Sequence, residues 1–358
     1  MGAEVTLVFP ANHPDSIRYL ESALERGEQI VAASSEPNAN IDSDFADFIE
    51  LPFVNDPQFK QAFDKLMKTH NISKVYTPTI AVFIWFKEQI KEHGLQLQLI
   101  GASPISREVE RVRKIFQTVS RYESFIAYCS DNKNTLSRLE LAAAFRMSGQ
   151  IFGESNNDKI AAILAIFATA PKGDVIEVGA LVGKSAAVLN AMAKKYAIGS
   201  VLVVDPWQAV ASAQLDSSPT LRVDVEGAWE QELPQSFLLN LLPLTNGQFN
   251  YLRMPSQQGW HLYANQRHFA STEFGLVRYE GQISVIHIDG NHDYLSAKND
   301  CEAWVPLIKP GGWLILDDYV WSHGDGPRRV GDNWLSSGKR SIKRAFVCGK
   351  ALFIQFEE

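Results

Sequence analysis

Four side chains in the last quarter of the chain have the types and spacing for chemistry. Asp289 ends the apolar run Ile283-Ser-Val-Ile-His-Ile288, and Asp317 and Asp318 end the run Gly312-Trp-Leu-Ile-Leu316. Asp317 follows Asp289 by 28 residues, and His292 lies three residues after Asp289. Carboxylates gathered on one rim repel one another unless they are protonated or bridged by a cation. An all-oxygen set suits a hard ion such as Mg²⁺, with water and substrate oxygens completing its shell. A cation on a hydroxyl oxygen lowers the hydroxyl pKa and fixes its direction. An imidazole titrating near neutrality suits removal of the proton. Asp289, Asp317 and Asp318 are therefore the candidate metal ligands, and His292 with Asp289 the candidate catalytic pair.

The elements that would position these groups can be read from the apolar runs. Asp174-Val-Ile-Glu-Val-Gly-Ala-Leu-Val-Gly-Lys-Ser185 reads as a buried strand, a glycine turn and a helix start. Gly179 and Gly183 allow close backbone approach, and the following helix offers free N–H groups. A P-loop requires glycine at position 178, which is Val178, so Gly183-Lys184-Ser185 ends a loop one residue too short. A dinucleotide fingerprint requires glycine at 181 and 184, where Leu181 and Lys184 stand. The remaining fit is an acid, Glu177, ahead of the turn. Its charge disfavours a pyrophosphate and favours an ammonium, as in S-adenosylmethionine. Ser200-Val-Leu-Val-Val-Asp205 is a second apolar run ending in an acid, 28 residues after Glu177. In doubly wound folds such an acid takes ribose hydroxyls, and ligands lie beyond the carboxyl ends of the strands. All these acids are thus expected on one edge of one sheet.

At these residues the chain resembles the class I S-adenosylmethionine-dependent methyltransferases. The phrases Ile288-Asp-Gly-Asn-His-Asp-Tyr294 and Leu307-Ile-Lys-Pro-Gly-Gly-Trp-Leu-Ile-Leu-Asp-Asp-Tyr319 resemble the metal-dependent O-methyltransferases, the macrolide-sugar type above all. The resemblance covers about residues 150–358. It implies a Rossmann-like seven-stranded sheet, S-adenosylmethionine and Mg²⁺ as cofactors, and a small-molecule hydroxyl, of a sugar or secondary metabolite, as acceptor. It also places a base near His292, where the catechol type has a lysine. Cofactor contacts are expected at Glu154, Glu177, Gly179, Gly183, Ser185, Asp205, Trp207, Ser256 and Asp289. Glu154 and Ser155 read equally as a helix N-cap. The alternatives are a metal-independent N- or carboxyl-methyltransferase and a P-loop-like nucleotide-binding protein.

Composition sets wider bounds. The chain has 358 residues, 46% hydrophobic and 21% charged, with net charge −7. That is ordinary for a globular α/β protein of two domains, and the acidic balance argues against nonspecific nucleic-acid binding. Three cysteines, Cys129, Cys301 and Cys348, show neither metal spacing nor disulfide density. With no signal pattern and no apolar run of about 20 residues, a cytoplasmic protein without membrane contact is expected, possible as a homo-oligomer.

Residues 1–120 alternate strands and helices and read as a smaller parallel α/β domain. Their element order resembles the lobe preceding the ATP-grasp fold in carboxylate–amine ligases. Residues 121–150 read as a helical connector and 151–358 as the methyltransferase domain. Residues 206–247, between the second and third strands of that domain, read as an insertion that forms a lid or an oligomer contact. The last two strands, about 345–348 and 351–356, are expected to form an antiparallel hairpin.

Overall fold

The computed structural model describes residues 4–36, 48–214 and 229–357. The chain divides into two compact units, residues 1–114 and 115–358. In the first unit the elements run β1 (Val5–Val8), α1 (Pro14–Glu25), β2 (Gln29–Ser34), β3 (Phe48–Glu50), α2 (Phe59–His70), β4 (Ile72–Tyr76), α3 (Ile80–Glu92) and β5 (Gln98–Ile100). The five strands pair in parallel in the order β3-β2-β1-β4-β5. Each strand–helix–strand step buries the apolar stripe of a helix on the sheet, here Phe59, Phe63 and Leu66 from α2 and Val82, Phe83 and Phe86 from α3.

Helix α4 (Pro104–Cys129) begins in the first unit and ends in the second. It is followed by α5 (Arg138–Gln150) and α6 (Asn157–Ile166). Residues 121–150, read from sequence as a connector, are largely helical. Tyr122, Ile126, Leu141 and Phe145 from this stretch share the core of the second unit.

The second unit continues with β6 (Asp174–Val178), α7 (Lys184–Lys195), β7 (Val201–Val204), α8 (Ala209–Ser212), α9 (Glu232–Leu241), β8 (Phe249–Leu252), α10 (Ser256–Asn265), β9 (His268–Ser271), β10 (Gly275–Arg278), β11 (Ile283–Ile288), α11 (Tyr294–Trp304), β12 (Ile308–Leu316), α12 (Gly326–Ser336), β13 (Ile342–Cys348) and β14 (Ala351–Phe356). Seven strands form one sheet in the order β13-β14-β12-β11-β6-β7-β8. It is parallel except where β14 pairs antiparallel with β12 and β13. Both faces are covered. Val175, Val201 and Val203 enter one core, and Ile176, Leu202 and Val204 enter the other, as expected for a parallel sheet buried on both sides. The expected hairpin is present with a longer first strand, turned at Gly349-Lys350 with φ of 55° and 75°. The β9–β10 hairpin was not expected from the sequence.

The order of the sheet creates one crevice. From β6 the chain steps outward through β7 and β8, then returns to pair β11 on the other side of β6. The carboxyl ends of β6 and β11 flank this switch point, where open α/β sheets bind ligands. Within the 206–247 insertion, α9 packs Phe237 and Leu241 into the core. Residues 215–228, the middle of the segment expected to act as a lid or contact, lie outside the described residues. No helix among the described residues is long and apolar enough to cross a membrane.

Candidate active site

A cavity of about 890 Å³ opens at this switch point. Gly179 makes the two strand ends fit. Its φ is 80°, and a Cβ there would stand 2.1 Å from the Asp289 carbonyl oxygen. Only glycine allows the turn after β6 to pass this close to the turn after β11. Ser185, Asp205, Ser256, Asp289, His292, Asp317, Asp318 and the exposed Glu154 also line the cavity. Of the residues expected at the site, three do not.

Glu177 is fully buried behind the cavity wall. It lies opposite His287 in the β6–β11 ladder, and its Oε1 is 2.8 Å from His287 Nδ1. Two residues ahead of the turn, it points into the sheet's packed face, so the expected pairing with a donor ammonium is replaced by pairing with His287. Trp207 is also fully buried and does not touch the cavity. Its Nε1 donates to the Leu181 carbonyl at 2.7 Å, and its ring packs on Phe237. The indole therefore anchors the glycine turn instead of meeting an adenine. Gly183 caps α7 with φ 90°, and a Cβ there would meet Leu241 at 2.3 Å. Its glycine serves the close approach of α9, not of a ligand.

Asp205 shapes the turn directly. Its Oδ2 accepts from Ala180 N at 2.7 Å and Leu181 N at 3.1 Å, and its Oδ1 accepts from Trp207 N at 2.7 Å. A carboxylate offers about four acceptor positions, so capacity remains toward the cavity. Ser256 opens α10 and accepts from Trp304 Nε1 at 2.9 Å, while Gln257 beside it donates to Asp300 at 3.2 Å. The cap of α6 is Asn156, whose side chain accepts from Lys159 N at 3.0 Å, so Glu154 and Ser155 precede the cap. Arg328 and Arg329 lie on α12 and do not line the cavity, with Arg329 over the Tyr294 ring at 4.0 Å.

The three aspartates converge as their spacing implied. Asp289 Oδ1 and Asp318 Oδ2 lie 3.7 and 3.3 Å from His292 Nε2. These three groups, and likewise His287, Asp289 and Asp317, each offer ligand atoms within 4.8 Å of one another. His292 Nδ1 is 3.1 Å from Gln214 Nε2, and its ring meets Trp321 edge-on at 4.8 Å. Burial disfavours the charged imidazole, but Asp289, Asp318 and Asp317 outweigh it and raise the His292 pKa. Asp318 is pushed up to about 6 by burial and by the charges of Asp317 and Asp289.

Two further members, Lys159 and His287, were missed in the sequence. Lys159 is 1% exposed, and its ammonium donates to Asp317 Oδ2 and stands 3.3 Å from Asp289 Oδ2. Burial favours the neutral amine, but the charges of Asp289 and Asp317 reverse the balance and raise its pKa. Asp317 is held well below its ordinary value because the Lys159 and His287 charges overcome its burial. His287 is raised to about 9: burial and Lys159 oppose its charge, and Asp317, Glu177 and Asp289 prevail. The missed signal was context. Ile160–Ile166 are all buried, so the helix is apolar all round and leaves a lysine in its first turn no solvent side. His287 likewise stands inside a strand buried throughout.

The residues fit a divalent ion. Four carboxylates, Glu177, Asp289, Asp317 and Asp318, gather here with Lys159 and the imidazoles of His287 and His292. Asp289 and Asp318 with His292, and Asp289 and Asp317 with His287, form the oxygen-rich sets that a divalent ion takes. His292 Nε2 is buried without a hydrogen-bond partner, a state that calls for an explanation such as a bound ion or a substrate hydroxyl.

Residues 176–319 match the family of methyltransferase domains, across the strands and turns that build this cavity. Fold, glycine turn and family match together define the second unit as a methyltransferase domain of the S-adenosylmethionine-dependent class. The chain thus carries a methyltransferase domain over residues 176–319. Solved structures similar to it include the O-methyltransferase NovP, at 15% identity over 62% of this chain and 82% of that one, with a TM-score of 0.37. The calicheamicin methyltransferase CalS11 aligns at 12% identity over 72% and 94%, with a TM-score of 0.38. The MycE methyltransferase of mycinamycin biosynthesis, in complex with Mg, SAH and mycinamycin VI, aligns at 12% over 52% and 45%, with a TM-score of 0.30. The chain matches none of the curated proteins with which it was compared.

Proposed function

We propose that this methyltransferase acts on a hydroxyl group of a small molecule, a sugar or another hydroxylated secondary metabolite, with the help of a divalent cation, Mg²⁺ being the natural choice. One observation carries the reading: the orphaned His292 Nε2 faces two carboxylates, Asp289 and Asp318, on the wall of the cavity that also holds the glycine turn. Bound S-adenosylmethionine supplies the electrophilic methyl group, and an ion held by Asp289, Asp317 and Asp318 supplies the charge that acidifies the acceptor hydroxyl.

The chain's own groups do the rest. Gly179, Ser185, Asp205 and Ser256 would hold the donor. His292 removes the hydroxyl proton through Nε2. The neutral ring keeps its own proton on Nδ1, which donates to Gln214 with the amide turned to present its C=O end. Trp321 fixes the plane of the imidazole. Since a methyl transfer needs in-line attack, holding donor and acceptor in one cavity provides much of the acceleration.

The test is transfer of a labelled methyl group from S-adenosylmethionine to a panel of sugar and phenolic hydroxyls, with Mg²⁺ and with EDTA. Transfer to oxygen that stops in EDTA and returns with Mg²⁺ is the expected result. Equal transfer in EDTA, or transfer to nitrogen or carboxylate, overturns it.

A further inference from the structure

Lys159 has no part in the proton transfer just described, yet it is an almost fully enclosed cation at the site, 1% exposed. An ammonium taken from water is costly unless it is paired and hydrogen-bonded. Here its partners are the Oδ2 atoms of Asp289 and Asp317, two of the three proposed ion ligands. His287 Nε2 lies behind the same two atoms, at 3.7 and 3.8 Å. One oxygen of each aspartate is therefore turned inward. Asp289 Oδ1 is the oxygen left toward His292 and the cavity.

We propose that Lys159 is a positioning residue that acts as a built-in counter-cation: it orients Asp289 and Asp317, holds them together when no metal is bound, and limits how tightly the site grips a divalent ion. This rests on the divalent-ion reading above. The physical reason is Coulombic. Without Lys159, Asp289, Asp317 and Asp318 would repel one another inside a partly enclosed site. With it, an entering dication meets a fixed positive charge a few ångströms away, in surroundings of lower effective dielectric than water. The site stays formed when empty and exchanges its ion readily.

The experiment titrates Mn²⁺ into full-length wild type, Lys159→Met, Lys159→Gln and Lys159→Arg by calorimetry. Thermal unfolding is followed in EDTA and in Mn²⁺. Lys159→Gln keeps a hydrogen-bond donor and drops the charge, so it stands in should Lys159→Met fail to fold. The neutral variants are expected to bind Mn²⁺ more tightly by about tenfold or more. They should also melt lower than wild type in EDTA and gain more from Mn²⁺. The Arg variant should bind within about threefold of wild type, because the charge remains. Neutral variants that bind Mn²⁺ no more tightly than wild type overturn the role of Lys159. A wild type that takes up no Mn²⁺ overturns the divalent-ion reading itself, and this inference with it.

Discussion

The two units build similar sheets and use their strand ends differently. In the first unit, polar groups beyond the carboxyl ends of β1 and β2 satisfy one another. Ser34 donates to Asn12 at 2.9 Å, Asn12 to Glu36 at 2.6 Å, and Ser16 to the Pro10 carbonyl at 2.6 Å. In the second unit, the ends of β6, β11 and β12 gather acids and histidines around a void. Glu177 Oε2, His287 Nε2 and His292 Nε2 are left buried with no hydrogen-bond partner. Among the described residues, the groups able to hold a metal lie only in this second unit. A parallel α/β sheet therefore supplies a platform, and unsatisfied side chains at its edge turn the platform into a site.

The contrast can be broken most forcefully at Asp317. Asp317→Ala is expected to lower kcat/KM by roughly 1,000-fold while S-adenosylmethionine affinity, read by calorimetry, changes little. Turnover that survives would show that the acids of the second unit are no more functional than the polar groups of the first. His292→Gln should lower kcat by roughly 100-fold or more and flatten the acid limb of the kcat profile. An unchanged profile would move the base elsewhere.

The proton competes with the ion at Asp318. Its folded pKa is raised to about 6, so the carboxylate is charged above that pH and protonated below it. Mn²⁺ affinity should hold above about pH 6 and fall by roughly tenfold per pH unit beneath it. In the metal-free protein the sign is opposite. A raised carboxylate pKa contributes stability that is present below the unfolded value and lost as pH rises through about 6. Asp318→Asn should flatten the affinity profile between pH 5 and 6, and a slope that persists would assign the competing proton to another group.

Glycines sharpen the comparison at the smallest scale. Gly27 in the first unit has φ 69° and open space, with nothing within 4 Å of where a Cβ would stand, whereas Gly179 has φ 80° and the Asp289 carbonyl against it. Gly27→Ala should cost about 1–2 kcal/mol, the left-handed backbone alone. Gly179→Ala should cost roughly 3 kcal/mol or more and weaken donor binding as the two turns separate. Equal urea midpoints would mean that the two turns at the switch point are not tightly closed on each other.

Much of this was legible in the residues. Strands β6, β7, β11 and β12 are apolar runs bounded by glycine or acid, so these strands and the convergence of Asp289, Asp317 and Asp318 could be read from local pattern, while the seven-stranded sheet was implied by the family resemblance. Glu177, Trp207 and Gly183 belong to the same motifs, but motif membership does not say which side of a strand or turn a residue faces. Glu177 is one position too early to reach the cavity, and Trp207, expected to touch the cofactor, packs beneath the glycine turn. Lys159 was invisible for the opposite reason. It lies 130 residues before Asp289 and 158 before Asp317, and only the docking of α6 on the sheet brings it to them.

The sequence by itself determined the elements and the chemistry available at their ends, since periodicity, glycine turns and strand-terminal acids depend on near neighbours. Tertiary structure decided which of those groups share one void and which cation lies beneath them. That choice depends on strand order and helix docking, and those are fixed by the burial of both sheet faces, not by any local run of residues.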